Sequence, residues 1–65
     1  MKQIYAILVL EKQMDAIERL LNLYRVGLND WTKCRVRRRQ GAYIKYCIMC
    51  TADTFESITN IVNEW

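Results

Sequence analysis

The chain switches repeatedly between the two-residue periodicity of a β-strand and the 3.6-residue periodicity of an α-helix, and this succession constrains its fold more than any other feature. Residues 3–10 are apolar at both alternating phases, as in a strand covered on both faces. Residues 31–38 and 42–50 also have strand composition, while 14–24 and 55–65 carry apolar residues at helical spacing. No proline and only two glycines leave little room for long loops. The predicted order is therefore βαββα.

Local signals mark both ends of the first helix. Asp15, with Glu18 three residues later, predicts an N-cap in a capping-box-like arrangement. Gly27 suits the left-handed position that ends a helix, and Leu28 after it can pack back on Leu23 as in a Schellman motif. These signals support a helix between the first two strands.

The connection between the second and third strands decides which side chains share a face of the sheet. A three-residue loop, Arg39-Gln40-Gly41, places glycine where a type I turn with a G1 bulge needs positive φ. This loop pairs Val36 with Ile44 and sets Arg37 opposite Tyr43. A two-residue loop would instead put arginines beside Ile44, mixing charged and apolar side chains on one face. The three-residue loop is therefore predicted.

The predicted fold is a single α+β domain over residues 1–65. Asp53 and Glu56 repeat the capping pattern ahead of the second helix. Right-handed crossovers then place both helices on one face of a sheet ordered 1-3-2, giving a two-layer βαββα sandwich that is ferredoxin-like but lacks the last strand. The first strand is left at an open edge, where pairing with a second copy of the chain would make a homodimer. Packing of sheet faces between copies is the alternative. The residues assigned to the dimer edge are Ile4, Tyr5, Ile7 and Val9.

Basic residues are concentrated in the predicted hairpin. Six of the ten lysines and arginines lie there, and no acidic residue occurs from position 31 to position 52. The three-residue loop would place Trp31, Lys33, Arg35 and Arg37 on the face away from the helices, and side chains of the neighbouring strands would join them. From strand one these are Tyr5, Ile7 and Val9, and from strand three Tyr43, Lys45, Cys47 and Met49. The predicted binding surface consists of Trp31, Lys33, Arg35, Arg37, Arg38, Arg39, Tyr43 and Lys45.

A sheet face with aromatic rings among cations can bind single-stranded nucleic acid, because bases stack on the rings and arginines contact the phosphates. An acidic protein surface is an equally suitable partner. The alternative is that the charges are solvated and only keep an edge strand from aggregating. The net charge of +3 does not discriminate between these interpretations.

Catalysis, metal binding and cofactor binding are not expected. The chain has no histidine and no glycine-rich phosphate loop, and its one serine has no base near it in the sequence. The cysteines Cys34, Cys47 and Cys50 are too few for a closed zinc site, and Cys47 and Cys50 would point to opposite faces of a strand. An odd cysteine count, with no targeting or membrane-spanning segment, favours a reducing, cytoplasmic location.

The second half of the chain carries three short motifs: residues 34–43 (CRVRRRQGAY), Thr51-Ala-Asp, and residues 58–65 (ITNIVNEW). In these motifs it resembles the DinI-like family of small DNA-damage-response regulators. The resemblance implies the same βαββα order, and a modulator of the RecA recombinase filament that binds through its acidic last helix.

The favoured hypothesis is a small, non-enzymatic regulatory protein of phage- or plasmid-like size that modulates a nucleic-acid-processing machine. Its basic-aromatic sheet face would contact nucleic acid or an acidic protein surface. Two alternatives belong to different classes. One is a homodimeric structural module whose charges are only solvated, and the other is an ACT-like sensor that holds a small molecule between subunits.

Overall fold

The sheet has three antiparallel strands in the order β1-β3-β2, with both helices packed on one of its faces. The computed structural model describes residues 1–65. The predicted α+β class, the 1-3-2 order and the βαββα succession without the last ferredoxin-like strand are confirmed. The elements are β1 (Gln3–Leu10), α1 (Met14–Leu23), β2 (Trp31–Arg38), β3 (Gly41–Cys50) and α2 (Ala52–Val62), with 3-10 turns at Glu11–Gln13 and Leu28–Asp30.

One hydrophobic core lies between the sheet and the helices. The central strand β3 supplies alternate residues to it, because side chains at every second position of a strand point to the same face. Ile17 and Leu21 of α1 and Ile58 of α2 are fully buried against that face. The ten buried residues are Val9, Ile17, Leu20, Leu21, Val26, Ile44, Tyr46, Ile48, Cys50 and Ile58.

The first helix begins without the predicted Asp15 cap. The chain leaves β1 through the 3-10 turn, where the Gln13 side-chain oxygen accepts a hydrogen bond from the Leu10 amide at 3.0 Å. Asp15 therefore lies inside the first turn of α1, where its charge favours the helix N-terminus. Glu18 does not complete a capping box, because its carboxylate is bonded to the sheet instead.

The helix ends in a Schellman motif, two residues earlier than predicted. Arg25 and not Gly27 takes the left-handed conformation, with φ of 60°, whereas Gly27 is extended with φ of −68°. The Val26 amide donates to the Leu21 carbonyl at 2.9 Å, which is the long-range bond of the motif. The residue after the left-handed position is thus Val26, which is buried, while Leu28 is 84% exposed and makes no such contact.

The second helix is capped by Thr51 and not by Asp53. The Thr51 hydroxyl accepts a hydrogen bond from the Thr54 amide at 3.3 Å, as an N-cap does. Asp53 follows in the first turn, where it interacts with the helix dipole. Trp65, the last apolar residue of the predicted 55–65 pattern, lies beyond the helix and is 45% exposed.

The predicted hairpin loop is wrong by one residue. Arg38 pairs with Gly41, so only Arg39 and Gln40 form the connection. Gly41 has the predicted positive φ, at 142°, but it belongs to β3. Val36 consequently pairs with Tyr43 and not with Ile44. A one-residue change of register moves every side chain of a strand to the opposite face, so β2 is turned over relative to the prediction.

Candidate interaction surface on the open sheet face

The register of β2 places its odd-numbered residues on the helix side of the sheet. Lys33 is opposite the buried Tyr46, and Arg35 is opposite the buried Ile44. The prediction that they lie on the face away from the helices is therefore wrong, and Trp31 and Arg37 are moved with them because they share the same phase.

Acidic residues of the helix layer explain why cations are stable on this side. Lys33 lies 2.7 Å from the Glu18 carboxylate of α1, and Arg35 lies 3.4 Å from Glu11. Because β2 is an edge strand, these long side chains extend beyond the core and keep their charged ends partly in water. Charged and apolar side chains therefore share this face of the sheet, with Lys33 and Arg35 each paired to a carboxylate.

Glu18 connects the first helix to the sheet at a partly exposed position. One oxygen of its carboxylate accepts hydrogen bonds from the Tyr46 hydroxyl and from the Lys33 ammonium, each at 2.7 Å. The hydrogen bond from Lys33 is the main reason that the pKa of Glu18 is lowered, and the bond from Tyr46 adds to it against the opposing effect of burial. Burial, followed by the bond to Glu18, raises the pKa of Tyr46.

The predicted platform of aromatic rings does not form. Trp31 packs against Tyr46 on the helix side, with ring centroids 5.5 Å apart. Tyr5 of β1 stacks on Phe55 of α2 at 4.5 Å. Ile7 shares the Tyr5 phase, and Val9, in the same phase, is 2% exposed, so the strand-one residues assigned to the outer surface face the helices. Tyr43 is the one ring of the predicted set on the outer face.

The outer face of the sheet, called the open face below, is covered by no element of the chain. It is formed by the even-numbered residues of β1 and β2 and the odd-numbered residues of β3. The predicted placement of Tyr43, Lys45, Cys47 and Met49 on this face is correct. Most members are apolar, and Ile4 and Met49 are 70% and 41% exposed. The open face comprises Ile4, Ala6, Leu8, Leu10, Thr32, Cys34, Val36, Arg38, Tyr43, Lys45, Cys47 and Met49.

All charges within the strands are positive. The strands contain five lysines and arginines and no aspartate or glutamate, whereas the rest of the chain carries five basic and seven acidic residues. Arg38 and Lys45 lie on the open face, and Arg37 and Arg39 lie at the adjoining hairpin end. None of these four has a carboxylate within ion-pair distance, since the two ion pairs involve other cations.

A shallow groove indents the open face at the end away from the hairpin. Its volume is about 140 Å³. Ile4, Cys47 and Met49 form its apolar side, and the 3-10 turn before β2 adds the polar side chains of Asn29 and Asp30. The face therefore runs from an apolar groove at one end to a cationic hairpin at the other.

The cysteines occupy three different environments. Cys50 is buried on the helix side, and burial raises the pKa of its thiol. Cys34 and Cys47 lie on the open face, exposed and half-buried respectively. No group of three or more potential metal ligands comes together anywhere in the chain.

Sequence reasoning missed the apolar character of the open face. Ala6, Leu8, Leu10 and Val36 were not assigned to any site, although β1 is apolar at both phases. Once one set of alternate side chains packs on the helices, the other set forms an apolar surface that faces solvent unless something covers it. The sequence does carry this signal, since a strand that is apolar at both phases predicts a cover on its second face or packing between the sheet faces of two copies.

Comparison of the chain with family models, with curated proteins and with solved structures gives no match. The resemblance of the second half to the DinI-like family stays a prediction. No helix combines the length and the apolar character needed to cross a membrane.

Proposed function

We propose that this chain is a small, non-enzymatic binding protein whose open face holds an acidic, apolar segment of another protein. One observation supports the proposal: a whole face of the sheet is uncovered and mostly apolar, its strand residues carry only positive charge, and Asp30 lies at the groove end away from those cations. Exposed apolar surface of this kind marks interaction sites in soluble proteins. A partner segment that combines leucine-like side chains with carboxylates would complement both properties.

The chemistry of the face supports a defined orientation for such a segment. Apolar side chains of the partner would contact Ile4, Leu8 and Met49, and its carboxylates would reach Lys45 and Arg38. Hydrogen bonds between charged groups are roughly twice as strong as neutral ones, and arginine can bind a carboxylate through two of them. Charge complementarity would thus fix the register of the partner, while apolar contact would supply most of the affinity.

Single-stranded nucleic acid is less well matched to the open face. Its phosphates would also satisfy Arg38 and Lys45, but base stacking needs aromatic rings, and Tyr43 is the one ring there. Apolar aliphatic side chains contribute little to binding a phosphate backbone. Nucleic-acid binding is therefore the competing possibility that the experiment below distinguishes.

The test measures fluorescence anisotropy of three labelled probes titrated with the protein at low salt. The probes are an amphipathic peptide of leucine and glutamate, the same peptide with lysine for glutamate, and an oligothymidylate of matched length. Of the three probes, only the glutamate peptide is expected to bind. The double variant Arg38→Glu/Lys45→Glu should weaken that binding by about tenfold or more, which corresponds to ~1.4 kcal/mol.

A matched control separates local charge from net charge. Lys12→Glu/Arg19→Glu makes the same change in net charge at exposed positions outside the sheet, and it should leave affinity within about twofold. Equal losses in both double variants would indicate non-specific attraction and contradict the proposal. Preferential binding of the oligothymidylate, with affinity falling steeply as salt rises, would instead indicate nucleic-acid binding.

A further inference from the structure

The two edges of the sheet are chemically opposite. β1 forms one edge and β2 the other, and both leave a row of backbone amide and carbonyl groups unpaired. β2 is protected by Lys33, Arg35, Arg37 and Arg38, because like charges repel a second strand of the same kind. β1 has no charged residue and no proline, and it pairs with β3 residue for residue without a bulge. It lacks the charges, prolines and bulges that commonly prevent an edge strand from pairing.

The side chains of β1 are also those of an interior strand. Both of its phases are apolar, which is typical of strands with neighbours on both sides and covered faces. Tyr5, Ile7 and Val9 face the helices, while Ile4, 70% exposed, faces outward with the other even-numbered residues. α2 already packs over β1 through the Tyr5–Phe55 stack, so an added strand would lie beside an apolar helix as well as beside β1.

We propose that β1 pairs antiparallel with β1 of a second copy, forming a continuous six-stranded sheet. This inference rests on the β1 edge and is independent of the proposed partner of the open face. β1 is the one strand of the chain that is uncharged, and it is therefore the best complement to itself. Pairing of β1 with the β2 edge would add copies without end, whereas β1 with β1 closes after two.

The geometry of antiparallel pairing restricts the register. A two-fold axis perpendicular to the sheet keeps the helices of both copies on one side, and residues directly opposite each other must then share a face. Odd-numbered residues of β1 face the helices, so an odd residue lies opposite an odd one and an even residue opposite an even one. One residue at the axis must then lie opposite its own copy, and Ala6 and Ile7, near the centre of the strand, are the candidates. The two open faces then merge into one surface with β1 side chains at its middle.

The first experiment measures mass and amide exchange on the unmodified chain. Sedimentation equilibrium should give twice the 7.8 kDa chain mass, falling toward one chain on dilution. Residue-resolved hydrogen exchange should show amides along β1 that lose protection on the same dilution, while the outer amides of β2 exchange rapidly throughout. A monomer at all concentrations, or a dimer whose β1 amides exchange as fast as those of β2, would overturn the proposal.

Two matched variants distinguish edge pairing from packing of open faces. Leu8→Lys and Val36→Lys each place one lysine at a half-buried open-face position, the first on β1 and the second on β2. Edge pairing predicts that Leu8→Lys raises the dimer dissociation constant roughly tenfold or more and that Val36→Lys leaves it within about twofold. Equal weakening by both variants would indicate face-to-face packing and would refute pairing through β1.

Discussion

The pairing of Lys33 with Glu18 offers the most direct test of the β2–β3 register, because the two possible hairpin loops place the Lys33 side chain on opposite faces of the sheet. The perturbation is a double-mutant cycle of Lys33→Met and Glu18→Gln. Methionine keeps the apolar stem of lysine, and glutamine leaves an acceptor for the Tyr46 hydroxyl, so each change removes the charge pair without leaving a buried donor unsatisfied.

The expected coupling follows from the geometry of the pair. The Lys33 ammonium and the Glu18 carboxylate are 2.7 Å apart, with side chains 39% and 30% exposed. Pairs this accessible are screened by water and typically contribute 0.2–1 kcal/mol. The Tyr46 hydroxyl holds the same carboxylate oxygen in place, so little side-chain entropy remains to be lost. We therefore expect a coupling near the upper limit, about 1 kcal/mol.

The assay is urea unfolding of the four proteins at pH 7 and at one protein concentration, because any dissociation would couple to unfolding. Arg35 and Glu11 provide the comparison pair: they are 3.4 Å apart, with side chains 73% and 41% exposed, and their coupling should stay below about 0.3 kcal/mol. The three-residue loop would place Lys33 away from the helices and predicts no coupling with Glu18. A coupling no larger than that of the comparison pair would refute the register.

The pH dependence of the cycle gives a second check. The pKa of Glu18 in the folded chain is lowered below its ordinary value of 4.5, chiefly by the Lys33 hydrogen bond. A lowered folded-state pKa means that the stabilisation is present above the unfolded pKa and is lost as the pH falls through the folded one. The coupling should therefore be constant near neutrality and disappear on acidification from about pH 4.5 downward. Persistence of the coupling in strong acid would contradict an ionic origin.

Four further substitutions test the helix ends and the hairpin, each by the change in the free energy of unfolding. Gly27→Ala should stabilise by about 0.4–1 kcal/mol, because Gly27 is extended and a new Cβ would only touch Asp30 at 3.7 Å; a loss above ~1 kcal/mol would restore Gly27 as the left-handed residue. Arg25→Gly should stabilise by up to about 1 kcal/mol through relief of its positive φ, and destabilisation would argue against that conformation. Gly41→Ala should cost at least about 1 kcal/mol despite the open space around it, because its φ is 142°; a neutral effect would contradict the strained backbone. Thr51→Ala should cost about 1 kcal/mol through loss of the α2 cap, and an unchanged stability would show that Thr51 is not the cap.

The sequence by itself determined the order and type of the elements. The strand bounds 3–10 and 31–38 were predicted as the structure has them, and the third strand begins only one residue earlier than expected. These patterns succeed because each depends on neighbours one to four positions away in the chain. The 1-3-2 order followed from general rules of chain connection applied to that succession.

The residues that cap the helices depend on interactions with residues distant in the sequence, which local spacing does not indicate. Asp15 and Glu18 have the spacing of a capping box, yet Glu18 bonds Lys33 and Tyr46, which are distant in sequence and adjacent in space. Gly27 was the natural choice for a left-handed residue. In the structure Val26 is buried, and the left-handed residue is Arg25, directly before it, so that α1 ends at Leu23.

The tertiary structure alone decided the face on which each charge lies. A strand of alternating basic residues fits either register, and only contacts between distant residues distinguish the two. In the folded chain Trp31 packs on Tyr46 on the helix side. On the same side Lys33 and Arg35 pair with Glu18 and Glu11, and the residues left on the open face are mostly apolar. Local periodicity encodes the elements, whereas the composition of the open face depends on pairings between residues that only the folded chain brings together.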